Sequence, residues 1–579
     1  MKWGNRLAVP DRPSDMTSAT PEVPSSTPPN WPHCGRESTQ EDPVGCRGIH
    51  VSGHTACLAH LDEGGRSAYL AALSPGADID HRGTPFTAGL LTELLAALQD
   101  PATNRPRLGI ARLDEAEFAQ TAPFHEAYFS GDAWFIGAQF SGTAWFIGAQ
   151  FSGTAWFDGA RFSGTARFIG ARFIGPGRFI GARFCAAARF DEARFSSAAR
   201  FDTARFEVPF SFGPLVCAQT LGMTGTAFTS PMIIEAAAAR VECTRAWWSS
   251  TATLRLRYAD LDLTDAAVEY PLTVIARTAP FTDSRGRSLP EPEFSGNDPR
   301  VCLTSVNGVD AAHLALHDID LSTCRFAGAI HLDQLRVDGW CTFGSTPIGT
   351  QWYRHFAWRW STRRTLVEEH YWRAQNVRPA LARGWLLPSE GTTVLKPTAL
   401  AVLYRQLRKS LEDDKNEPGA ADFYYGECEM RRHDTDGSSL AERALLTTYW
   451  ALSGYGLRAT RALVWLLGAM TVTLVALMVW GLPAEDPKPQ TTGRQVAVGR
   501  NITLTTDTPD PVNPTGPWGE RVTTERFEKA LRVVINSVVF RSSGQDLTTA
   551  GNYTEMASRL TEPVLLGLAV LALRSRVKR

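Results

Sequence analysis

FHEAYFSGDAWFIGAQFSGTAWFIGAQFSGTAWFDGARF, residues 124–162, decides the reading of this chain. A phenylalanine returns after five residues, then six, then five again, through Phe124, Phe129, Phe135, Phe140, Phe146, Phe151, Phe157 and Phe162. The pattern extends in both directions, from Leu113 to Phe206, and is an eleven-residue repeat. Alanine stands two positions before each large residue, as at Ala138, Ala149, Ala160 and Ala193, with Gly177 the departure. An α-helix advancing about 100° per residue spreads such steps over two separated faces, so no apolar stripe forms. A glycine in almost every unit adds about 1 kcal/mol each against a helix. A flat strand fails because a step of five reverses the face while a step of six keeps it. A chain that bends at every unit satisfies all three observations: four units close one square coil, each Phe points to the axis, and the small Ala fits beside it.

The units ARFIG, AQFSG and ARFDE, a small residue, a variable one, a central Phe and two more, resemble the pentapeptide-repeat family, with one residue added in every second copy. The resemblance implies a right-handed quadrilateral β-helix. At 22 residues per coil, residues 113–206 make roughly four coils, a rod of about 20 Å at the spacing of hydrogen-bonded strands. The expected fold class is therefore mainly β, a solenoid with α-helical caps and a C-terminal α-helical membrane region.

The chain has 579 residues and a formal net charge of −1, which argues against general nucleic-acid binding. Its ten cysteines are scattered, which suits reduced, packed thiols better than a disulfide framework. Residues 1–30, rich in Pro, Ser and Thr, read as a disordered tail. Residues 31–107 form a cap containing Cys34, Cys46, Cys57 and His60, with CLAH placing the last two on one helical turn. Soft ligands of this kind suit tetrahedral zinc, and His33, His50 and His54 compete for the fourth place. Similar Cys and CLAH patterns precede the repeats in actinobacterial members of the family. No neighbouring acid or base suggests a catalytic metal, which leaves two readings of the cluster: one structural zinc, or half-buried thiols beside surface histidines. Helices near 66–73 and 87–98, the second opening on a Thr cap, are expected to cover the raw edge of the β-helix.

The β-helix is expected over 108–340, with an excursion at 269–300 where Pro, Arg, Asp and Ser concentrate. Along it the residue before each Phe faces outward, and Trp134, Gln139, Trp145, Gln150 and Trp156 give way to nine arginines. Arg161, Arg167, Arg172, Arg183, Arg194 and Arg205 are the candidate interaction surface, with the three tryptophans as an exposed patch beside them. Some family members imitate DNA through an acidic rod; this one is basic, which disfavours that role.

Residues 341–457 are expected to form a helical linker. Within them Glu368, Glu369 and His370 read as surface charges on one helical turn, and Leu400, Leu403, Leu407 and Leu411 as the apolar face of a helix joined to the next by NEPG. Residues 458–579 form the membrane region. Ala462 to Leu482 carries no charge and is long enough to cross a bilayer, and a second crossing falls at about 557–574. Arg458 and Arg461 before the first crossing and Glu485 and Asp486 after it place the N-terminal domains and the C-terminal tail in the cytoplasm, with the loop between the crossings outside. An amphipathic stretch, Arg526 to Phe540, precedes the second crossing, the order found in two-helix channels, yet no TVGYG-like filter follows it.

Two functions remain: a non-enzymatic, membrane-anchored scaffold for an unknown protein partner, and a subunit of a homo-oligomeric pore with the β-helix as its cytosolic sensor. No nucleophile elbow, phosphate loop or paired-acid motif points to an enzyme.

Overall fold

The repeat folds as its spacing requires. In a computed structural model of the chain, the strands Ala133–Trp134, Gln139–Phe140, Ala144–Trp145 and Gln150–Phe151 make the four sides of one coil, and Ala155–Trp156 then lies parallel on Ala133–Trp134. The structure describes residues 27–577 apart from 349, 354–355, 378–381, 486, 494–498, 500–503 and 540–543, so most of the expected disordered tail lies outside the described residues. The chain divides into two compact units, 1–301 and 302–579.

In the first unit every Phe of the repeat is buried, and residues 22 apart stack ring on ring, Phe124 to Phe146 at 5.0 Å and Phe146 to Phe168 at 4.9 Å. Rings from opposite sides of the coil meet edge to face, as Phe146 does with Phe157 at 5.3 Å. The alanines are fully buried because a larger side chain has no room between the stacks. Glycine serves two opposite corners of the coil: Gly137, Gly148, Gly159, Gly170 and Gly181 have φ between +64° and +67°, where a Cβ is penalised.

Beyond Phe206 the coil shortens. The register moves from Phe212 beside Ile234 to Leu221 beside Val241, and Met232 then lies beside Ala252, so twenty-two residues per coil become twenty. Four sides of five residues close such a coil without the added residue, and Leu and Val replace Phe on the axis. The excursion is narrower than expected from composition: Leu272–Ala276 is still a coil strand, with Leu272, Val274 and Ala276 turned inward. The loop that follows returns to the solenoid wall, where Phe281, Leu289 and Phe294 pack on Val216 and Ala237. Buried Arg257 bonds Glu291 there, and Tyr258 stacks on Phe294 at 4.6 Å.

At the other end of this unit, α1 (Glu63–Ala72) and α2 (Ala88–Ala97) are capped by Asp62 and Thr87, and Phe86 stacks on Phe118 at 5.4 Å. His81 is buried against Tyr69 and Phe86, with Nε2 3.1 Å from the Tyr69 hydroxyl, and burial lowers its pKa from 6.5 to about 4. A histidine held neutral in the fold binds its proton more readily when unfolded. Its contribution is thus present above pH 6.5 and lost as pH falls towards 4, by up to about 3 kcal/mol. Thermal unfolding of the parent and of His81→Phe across that range should show a steeper acid loss in the parent.

The second unit opens with coil strands, Leu316 beside Val337 and Leu321 beside Phe343. The helical reading of the stretch from Gln351 needs correction. Thr350–Tyr353 and Phe356–Arg359 form an antiparallel hairpin, and Arg364–Thr365 pairs with Gly344–Ser345 before α3 (Val367–Asn376) begins. Alternating aromatic and polar residues favour strand over helix there. The hairpin of α4 (Pro397–Asp413) and α5 (Glu417–His433) buries Leu400, Leu403, Leu407 and Leu411. It also supplies polar caps to the last coils: Asp414 accepts from Val337 N and Ser410 donates to Leu335 O. Glu368 on α3 accepts from the backbone N–H groups of Phe326 (2.6 Å) and Ala327 (2.9 Å). Glu368→Ala would leave two donors buried without partners, and a loss of about 2–4 kcal/mol in thermal unfolding is expected.

After α6 (Leu440–Ser453), α7 (Ala459–Ala476) continues as a π turn to Gly481. The short α8 (Trp518–Arg521), the amphipathic α9 (Thr524–Val538) and α10 (Thr549–Val577) complete the unit. Among the described residues, two helical segments are long and apolar enough to cross a membrane, Ala459–Gly481 and Thr549–Arg574. They meet backbone to backbone at Gly481 and Gly551, where a Cβ on Gly551 would lie 2.2 Å from the Gly481 carbonyl oxygen. Arg526 of α9 donates to the carbonyls of Met478, Leu482 and Pro483, occupying acceptors that the end of the first apolar helix leaves open.

Candidate functional site: a Cys3His cluster and the outward rows

Cys34, Cys46, Cys57 and His60 converge, with their ligand atoms all within 4.8 Å of one another. Local backbone accounts for each. Cys34 and Cys46 face one another across an antiparallel loop closed by Cys34 N to Gly48 O and Gly35 N to Cys46 O, both 2.8 Å. Cys57 caps the single 3-10 turn Leu58–His60, which brings His60 Nδ1 to 3.3 Å from its Sγ. Cys34 Sγ lies 3.5 Å from the same nitrogen, and Cys46 Sγ lies 3.6 Å from Cys57 Sγ. Gly48 is required for this closeness, since a Cβ there would sit 2.5 Å from Cys57 Cβ. Zinc bonded to sulfur at about 2.3 Å and nitrogen at about 2.0 Å needs tetrahedral edges of about 3.5–3.8 Å, and the cluster has nearly that shape. The hydrogen bond from Cys46, helped by His60, lowers the Cys57 thiol to about 5, while the same bond and burial raise Cys46. Of the competing histidines, only His60 enters the cluster.

The outward rows are resolved side by side. Trp134 and Trp156 stack at 4.9 Å on one side of the square and continue into Arg178, whose guanidinium lies 4.3 Å from the Trp156 ring and bonds Asp158. Trp145 belongs to the opposite side, in register with Arg167, and from there Arg189. Eleven residues are half a coil, so the expected single tryptophan patch is two. Arg161, Arg183 and Arg205 form a third row, and Arg172 and Arg194 a fourth. Arg194 is half-covered by the returning loop, donating to Pro290 O at 2.5 Å.

Residues 113–161 and 157–205 match the family model described as pentapeptide repeats (9 copies). This segment is a pentapeptide-repeat solenoid. No curated protein and no solved structure matches the chain. The pentapeptide-repeat rows are thus known here by their geometry: four parallel ladders, with the basic residues concentrated in the later coils of the matched segment.

Charged residues read as surface form a buried core instead. Glu368, Glu369 and His370 are 4%, 0% and 4% exposed. Glu369 receives Arg363, Arg373 and Tyr404, and Arg373 also bonds Glu429. The partners come from three separate segments, so one helical turn of sequence could not reveal them. A second group escaped notice between the apolar helices. Glu562, fully buried, accepts from Thr473 Oγ1 (2.9 Å) and Ser537 Oγ (2.5 Å). A carboxylate inside an apolar span was the signal available.

Proposed function

We propose that this chain is a membrane-anchored scaffold that presents a cytoplasmic pentapeptide-repeat solenoid to a protein partner and performs no catalysis. The observation that carries the reading is the union of two kinds of surface in one chain. The solenoid turns ordered rows of Arg and Trp outward, while the two apolar helices leave Val464, Leu467, Val472, Leu560, Val564 and Leu571 uncovered. Lipid covers such helices at no cost, whereas water does not. Arg458 and Arg461 at the start of the first helix favour a cytoplasmic start. In this reading the Cys3His cluster holds one structural zinc that fixes the start of the rod, and the exposed Arg183 and Arg205 belong to the partner surface.

Three measurements test it. The full chain should resist alkaline extraction from membranes, and a chain ending at residue 458 should be released; release of both removes the anchor. Metal analysis should find one zinc per chain, absent from Cys57→Ser; equal metal in the two removes the zinc. Capture of a partner by the full chain should be lost in Arg183→Glu/Arg205→Glu, and capture that survives the double change places the partner elsewhere.

A second reading, a subunit of an oligomeric pore, is favoured by one observation. α9 buries Ala530, Val533 and Val534 against Leu477, Met478 and Leu482 at the end of the first apolar helix, and its Ser537 bonds Glu562 of the next. Proteoliposomes holding the purified chain should show no ion flux under the scaffold reading. A clear conductance, with a homo-oligomer in detergent, would replace it.

A further inference from the structure

The first turn of α7 reaches into the buried ion-pair core. Two guanidiniums, Arg363 and Arg373, face two carboxylates, Glu369 and Glu429, all at most 5% exposed at the side chain. Beside them lies a cavity of about 30 Å³ whose lining includes Trp385, Ser361, Arg373, Glu429, Trp450 and Arg461. Arg461 brings a further positive charge. It donates to Trp450 O (3.1 Å) and Ser361 Oγ (3.1 Å), and no carboxylate pairs with it among the described residues. Trp385 is 6% exposed, and its indole N–H has no hydrogen-bond partner among the described residues. No side chain caps the first N–H groups of α7, so the positive end of its dipole adds to the same field.

The one carboxylate on the wall is already engaged. Glu429 Oε1 accepts from Arg373 and Arg432, and Oε2 accepts from Tyr455. Ser361 Oγ likewise accepts from Arg461 and Tyr425. A water molecule would bring two hydrogens to a wall rich in donors, whereas an anion brings acceptor capacity and opposite charge. The volume is that of about one water molecule, which excludes tetrahedral oxyanions. We propose that this cavity binds one halide-sized anion between the Trp385 indole N–H and the Arg461 guanidinium. The bound anion would tie the start of α7 to the segment around Trp385 that follows α3.

The test uses the full chain in detergent micelles, titrated with sodium bromide or sodium sulfate against sodium gluconate at constant ionic strength. Melting temperature and tryptophan fluorescence are followed together. Bromide should raise the melting temperature and quench part of the fluorescence along one saturating curve, and sulfate should do neither. Trp385→Phe, which keeps the ring beside His370 and Arg373, and Arg461→Gln should each move the bromide midpoint up by about tenfold or more, the usual worth of a hydrogen bond to a charged group. A change that is linear in salt, that sulfate reproduces, or whose midpoint is unmoved in whichever variant folds would overturn the site and leave water as the occupant.

Discussion

Phe146→Ala should lower the stability of the first unit by about 3–5 kcal/mol, the range for removing a buried aromatic ring. Phe146 is fully buried and sits in the middle of its stack, 5.0 Å from Phe124 and 4.9 Å from Phe168. It also meets Phe135 at 5.5 Å and Phe157 at 5.3 Å edge to face. Alanine removes contacts in two directions at once, and the hydrogen-bonded coils above and below cannot close the space without breaking their register. Each coil is supported chiefly by its neighbours, so a void in one weakens the coupling of the two halves it joins. Chemical unfolding of the purified chain measures the loss. The adjacent Trp145→Ala, on the outer face at 36% exposure, should cost less than about 1 kcal/mol. Equal losses at the two positions would mean that the phenyl columns do not hold the rod.

A comparable loss, about 3–5 kcal/mol, is expected for Glu369→Gln in the second unit, because removing one member of a buried ion pair strands the other. Here Arg363 loses its carboxylate and Arg373 is left with Glu429 alone, each guanidinium side chain 2% exposed. Burial alone would raise the Glu369 carboxyl, but the two arginines outweigh it and hold it at about 2, against an ordinary 4.5. A carboxylate whose folded pKa is depressed stabilises above the unfolded value, and that contribution is lost as pH falls from about 4.5 towards 2. The gap in melting temperature between parent and variant should therefore be widest near neutral pH and narrow through that window. Breaking the more exposed Arg431–Glu442 pair by Glu442→Gln should change stability by less than about 1 kcal/mol. A gap at Glu369 that stays constant down to pH 2 would show that the carboxylate is not paired in the fold.

Much of the architecture was written in spacing. Alternating five- and six-residue steps, with alanine two places before each ring, leave a four-sided coil as the arrangement that buries every Phe. The same count sends the preceding residues outward and fixes which of them share a side. Apolar length alone marked the two helices suited to a bilayer, and the period of Leu400, Leu403, Leu407 and Leu411 marked the buried face of α4. Three of the four cluster residues were cysteines that could be read directly; the fourth was one histidine among four.

Tertiary structure made the remaining choices. It selected His60, because a turn capped by Cys57 carries that ring to two sulfurs. Glu368, Glu369 and His370 went into the interior, because backbone donors from the last coils and arginines from other segments meet them there. The division has a physical cause. Periodic apolar packing repeats the same local requirement at every turn, so the chain displays it openly, whereas the worth of a charge, a thiol or a lone carboxylate depends on which distant partner the completed fold brings within hydrogen-bond reach.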